Sequence, residues 1–144
     1  MTEMQERFTA ALHNTARAWR QALDRRLKYL GLSQASWLTI AVAARSPSPL
    51  SQSELADRLA VEGATMVAMI DRLVKAGFVV REPSSTDRRV KRIVLTPAGN
   101  ELYQKVKAEA EAFRRESLRG VDQETLRIAT EMLERLEEIV EAAR

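Results

Sequence analysis

Cysteine is absent from the 144 residues, and histidine occurs once, at His13. The first absence removes disulfide frameworks, thiol nucleophiles, thiol redox sensing and thiolate metal sites together. The second leaves no imidazole cluster for a metal, and no cofactor is expected. Long apolar runs are missing too. No stretch approaches the roughly 20 residues that cross a bilayer, and the opening residues, MTEMQERFTA, are charged where a secretory signal is apolar. A cytoplasmic protein without membrane attachment is the expectation. No nucleophile with an adjacent base, ligand cluster or phosphate-cradling glycine loop stands out, so an enzyme is not expected.

What remains is ample for one folded domain: 45% of the residues are hydrophobic, enough to bury a core at this length. The formal net charge is only +3, although the isoelectric point is about 9.6, so the placement of charge says more than its total. Arg81, Arg88, Arg89, Lys91 and Arg92 outnumber Glu82 and Asp87, whereas beyond residue 120 three arginines face seven acidic residues. Two regions of opposite sign call for different partners.

From about Glu6 to Leu30, Phe8, Leu12, Ala16, Trp19, Leu23, Leu27 and Leu30 recur every three or four positions, the period of a helix with one buried stripe. Gly31 ends it. Ser33 suits the cap of a second helix, apolar on most sides, that carries Trp37, Leu38, Ile40, Ala41, Val42 and Ala44, and SPSPL at residues 46–50 is a rigid break. Ser51 and Glu54, three apart in SQSE, have the spacing of a capping box. A short helix through Leu55, Ala56 and Leu59, a pause at residues 60–63, and a second helix from Ala64 to a terminating Gly77 make a helix-turn-helix. FVVRE and KRIVLT, residues 78–82 and 91–96, are rich in β-branched residues and flank polar PSSTDRR, a hairpin pattern. Thr96 and Pro97 open another helix to about Arg119. Asp122 starts the last, whose seam holds Leu126, Ala129, Met132 or Leu133, Leu136, Val140 and Ala143.

Standing alone, the basic hairpin would be a solvated tip. Beside a helix-turn-helix it has a physical use on duplex DNA, where a helix fits the major groove and arginine is drawn to a narrow minor groove. In the helix from Ala64, the stripe Val67, Ile70, Leu73 and Val74 is expected to face inward. Thr65, Ala68, Met69 and Arg72 are then left outward as DNA-binding candidates, together with Asp87, Arg88, Arg89 and Lys91 of the hairpin. An ordinary core helix would instead make Met66 and Met69 packing residues. Asp71 is expected to pair with Lys75 along the helix. Asp87 either orients Arg89 or is a plain turn former, two readings the sequence leaves open. Trp19 and Trp37 are core or interface residues, or could stack on an aromatic ligand. The apolar terminal helices offer a dimer interface, which matches the two half-sites of a palindrome.

RAWRQALDRRLKYLGLSQASW, residues 17–37, and VEGATMVAMIDRLVKAGFVVREPSSTDRRVKRIVLT, residues 61–96, resemble the MarR family of transcription regulators, its SlyA branch most closely. The likeness extends over nearly the whole chain. It implies a mostly α fold with a small β wing: a winged helix-turn-helix lobe at residues 50–96 and a helical dimerisation region at residues 1–45 and 97–144. It also implies a homodimer on palindromic double-stranded DNA, released by a small phenolic ligand such as salicylate. Ser33 and Trp37 match ligand-binding positions of the branch, and Arg88 and Arg89 its wing arginines, with Arg89 the one assigned to the minor groove. Ala68 departs from the pattern, since the branch carries arginine there. An alternative from another class is a helical protein-interaction module that borrows the winged fold without reading DNA.

Overall fold

The stripe that opens the chain forms helix α1, Thr2–Arg26, which begins earlier than its apolar pattern and hands over to a single 3-10 turn at Lys28–Leu30. This computed structural model describes residues 2–143. Helix α2, Gln34–Arg45, starts where Ser33 accepts the backbone N–H of Ser36 at 3.2 Å, satisfying one of the donors a helix start leaves open. The proline-rich break follows. A two-residue strand, β1, Leu50–Ser51, then leads into α3, Gln52–Arg58, and α4, Gly63–Lys75. Strands β2, Val79–Pro83, and β3, Lys91–Leu95, form the hairpin, and α5, Pro97–Leu118, and α6, Gln123–Ala142, complete the chain.

The sheet is antiparallel with order β1-β3-β2. β3 is central, with Leu50 opposite Ile93 on one side and Arg81 opposite Ile93 on the other. The fold is therefore mostly helical with a small three-stranded wing. The residues group into two units, one reaching to Glu111 and one beginning at Ala112. In the first, Ile40, Leu55, Ile70, Val79, Ile93 and Leu102 come from six different elements into one buried cluster. Each such aliphatic side chain contributes about 1.5–3 kcal/mol when removed from water, so every element of the lobe is tied to the others through this cluster. In the second unit, Asp122 accepts the Thr125 N–H at 3.1 Å to start α6, a helix with no buried residue.

Both helices of the helix-turn-helix end the same way. After α4, Phe78 N–H reaches Leu73 O and Gly77 N–H reaches Val74 O, each at 3.0 Å, around Gly77 at φ 86°. After α3, Val61 N–H reaches Ala56 O at 3.0 Å and Ala60 N–H reaches Asp57 O at 3.2 Å, around Ala60 at φ 54°. This paired closure needs a left-handed residue and normally recruits glycine. Alanine at position 60 holds it at a cost of about 1–2 kcal/mol.

Candidate nucleic-acid interface

Helix α3 is locked at its start by the reciprocal cap expected from SQSE. Glu54 N–H donates to Ser51 Oγ and Ser51 N–H to Glu54 Oε1, both at 3.1 Å. These bonds, the backbone one first, hold the Glu54 carboxyl below its usual range, because a carboxylate that accepts N–H donors favours its charged form.

Helix α4 packs on the core through Met66, Met69, Ile70 and Leu73. Ile70 and Leu73 face inward as periodicity predicts, but the two methionines take the places expected of Val67 and Val74. Val67 and Val74 are exposed. Met69, expected outward, is only 4% exposed, with Ser36 Oγ donating to its sulfur at 3.3 Å. Its polarizable thioether fills the gap between α2 and α4, and burial removes it from any contact with DNA. Thr65, Ala68 and Arg72 do lie on the exposed side.

Asp71 does not pair with Lys75. Its Oδ1 receives Nη2 of Arg81 at 2.6 Å, and the same guanidinium donates through Nε to Gln52 Oε1 at 2.7 Å. Sequence reasoning counted Arg81 among the hairpin charges and missed this reach. No local spacing signals a bond between β2 and the first residue of α3.

The wing tip is built from turn chemistry. Ser84 N–H bonds Val90 O at 2.8 Å, and the buried Ser84 hydroxyl accepts Thr86 N–H at 3.3 Å. Val90 N–H reaches Asp87 O at 3.0 Å. Asp87 Oδ1 accepts both the backbone N–H of Arg89, at 3.0 Å, and its Nε, at 3.3 Å, so the two roles left open for this aspartate coexist. The Arg89 guanidinium, and secondarily its backbone N–H, hold the Asp87 carboxyl below the usual aspartate range. The Arg89 side chain remains 91% exposed. Arg88 and Lys91 are exposed as well. Arg92 turns back instead, donating Nη1 to Pro49 O at 2.9 Å.

A cavity of about 580 Å³ opens between α1, α2 and the helix-turn-helix. Leu38, Val42, Val61 and Met66 give it apolar walls, and Arg20, Arg58 and Thr65 give it polar edges. Ser33 and Trp37, expected at a ligand site, are not among its lining residues. Gln34, Leu38 and Val42 recur at helical spacing along the cavity face of α2. Trp37 falls on the adjacent face, where it is buried and donates its indole N–H to Asp24 of α1 at 2.9 Å. Ser33 is occupied as the helix cap. Arg20 and Arg58 carried no sequence signal for this site, because their convergence comes from packing two distant helices.

No helix among the described residues is long and apolar enough to cross a membrane. A family model described as the MarR family matches residues 30–90. The solved structure of the transcriptional regulator PA3341 is 40% identical, with 94% of this chain and 98% of that one covered and a TM-score of 0.88. Two more distant structures share the fold. AbsC, a MarR family transcriptional regulator from Streptomyces coelicolor, is 22% identical at a TM-score of 0.83, with 99% and 97% covered. Staphylococcus aureus MarR, solved in complex with salicylate and kanamycin, is 20% identical at a TM-score of 0.86, with 99% and 95% covered. The chain belongs to the MarR family of DNA-binding transcription regulators.

Proposed function

We propose that the protein is a cytoplasmic homodimer that reads palindromic operator DNA, with α4 in the major groove and the β2–β3 wing in the neighbouring minor groove. The observation that carries the reading is the exposed Arg89 guanidinium, held by Asp87 at the tip of a hairpin attached to the same lobe as α4. Arginine in that position suits the negative potential of a narrow minor groove. Thr65 and Arg72 are the α4 side chains for phosphate or base edges, and Ala68 is suited to a thymine methyl. Arg88 and Lys91 add phosphate contacts.

The dimer reading is supported by the apolar surface of α6, where Ile128, Met132, Leu133, Ile139 and Val140 are all exposed. A two-fold interface between such helices matches two half-sites. The sequence motifs also support a place near the SlyA branch.

The cavity supports regulation by a small phenolic acid such as salicylate. Its volume is in the range of ligand sites, Arg20 and Arg58 can take a carboxylate, and its apolar walls suit an aromatic ring. Thr65 belongs both to its lining and to the outward side of α4, so an occupant would press on the element that reads DNA.

Selection of bound sequences from randomised duplexes, followed by gel-shift titration at two salt concentrations with and without salicylate, tests the reading. A palindromic consensus, steep salt dependence and weaker binding with salicylate are expected. No palindrome-dependent shift at low salt would favour the protein-interaction module.

A further inference from the structure

We propose that Arg81 is a positioning residue for DNA binding: its guanidinium clamps the wing to the recognition helix and fixes the angle between them. The proposal rests on the reading of α4 and the wing as the two DNA-contacting elements. Arg81 lies in β2 opposite Ile93. From there Nε donates to Gln52, the first residue of α3, at 2.7 Å. Nη2 donates to Asp71 on α4 at 2.6 Å and lies 3.4 Å from the Val67 carbonyl. One rigid fork thus joins three elements, a task for which the planar guanidinium is preorganised.

Asp71 supplies the second half of the argument. Its side chain is 60% exposed and precedes Arg72 on α4. A carboxylate there opposes the approach of phosphates. An ion pair this exposed adds little to global stability, so stability does not account for it. Its directional use does. Val79 and Ile93 already anchor the base of the hairpin in the core. With Asp71 holding Nη2 and Gln52 holding Nε, the exposed outer part of the wing cannot swing about that base without breaking two short bonds, and helix and wing reach adjacent grooves in one fixed register. Binding then does not have to order the wing, which is how preorganisation raises affinity.

The test uses full-length Arg81→Ala, Asp71→Ala and the double variant, with Gln52→Ala as a milder change that leaves the ion pair intact. Folding is checked by circular dichroism, and operator affinity is measured across a salt series. The orientation of β2–β3 relative to α4 is measured without DNA by amide residual dipolar couplings. Losing a negative charge on its own would tighten DNA binding, whereas loss of the clamp weakens it. We expect Asp71→Ala to weaken operator binding by roughly threefold to tenfold, the scale of one lost ordering contact. Arg81→Ala behaves alike with an unchanged salt slope, the double variant is no worse than Arg81→Ala, and Gln52→Ala moves the same way by less. The hairpin couplings change in every variant.

Tighter or unchanged binding by Asp71→Ala overturns the clamp, as do unchanged hairpin couplings in Arg81→Ala. A salt slope that falls by about one in Arg81→Ala also overturns it, since that identifies Arg81 as a phosphate contact. A wild-type protein that binds no duplex overturns the DNA reading and the positioning role with it. The couplings, measured without DNA, separate that failure from the failure of the clamp.

Discussion

Asp87 Oδ1 lies 3.0 Å from the backbone nitrogen of Arg89 and 3.3 Å from its Nε, so one oxygen closes the turn and steadies the guanidinium that projects from it. Because the rest of that side chain is in solvent, Arg89→Ala is expected to leave the thermal midpoint nearly unchanged. Operator affinity should fall roughly tenfold to a hundredfold, as for loss of a groove-reading arginine. Fluorescence anisotropy on the selected operator measures this, and a folded dimer of unaltered affinity contradicts the minor-groove assignment.

The same contact sets a pH window. The folded Asp87 carboxyl is held below its unfolded value, mainly by the Arg89 guanidinium. Its contribution to the turn is therefore complete above the ordinary aspartate range and is lost as pH falls through the lowered folded value. The Arg89 amide and Nε resonances should stay flat from neutral pH down to about 5 and move only in stronger acid. A midpoint at or above the ordinary aspartate value removes the ion pair from solution.

Gly99 tests the packing of α5 against the end of α4. A Cβ at this position would lie 2.0 Å from the Phe78 carbonyl oxygen, 3.0 Å from its carbon and 3.2 Å from Leu95 Cδ2. Phe78 O already accepts Thr96 N–H at 3.0 Å, so it has little freedom to move aside. Gly99→Ala is expected to destabilise the fold by about 1–3 kcal/mol, the scale of overpacking, visible as a lower urea midpoint. An unchanged midpoint would mean that α5 shifts to admit the methyl group without loss of packing.

Ala68 sits on the exposed side of α4, at the position where the resemblance to the SlyA branch implies an arginine. Ala68→Arg should tighten duplex binding and steepen the dependence of log affinity on log salt by about one, the signature of an added phosphate contact. Equal slopes for the two proteins would place position 68 away from the DNA backbone.

Local chemistry was the part of the fold that could be read directly from the residues. Ser51 with Glu54, Ser33, Thr96, Asp122 and Gly77 each act within a few positions of themselves, and each forms the cap or stop expected of it. Strand β1 was missed because a two-residue strand exists only through its pairing with β3. The facing of α4 was misread for a different reason. Met66, Val67, Met69, Ile70, Leu73 and Val74 contain two overlapping stripes that share Ile70 and Leu73, and periodicity cannot choose between them. Packing chose the methionines. At the candidate site the exposed arginines and the Asp87 turn were legible, while Arg81, Asp71, Arg20 and Arg58 depend on long-range placement.

The face that α4 turns to the core and the face it turns outward draw on different residues. Met66, Met69, Ile70 and Leu73 are buried, whereas Ala68 and Arg72 lie in solvent. Selection for a folded lobe therefore exerts little hold on positions 68 and 72. If the outward face reads DNA as proposed, a duplicated copy of this gene can drift toward a new target sequence one outward substitution at a time without passing through an unfolded intermediate.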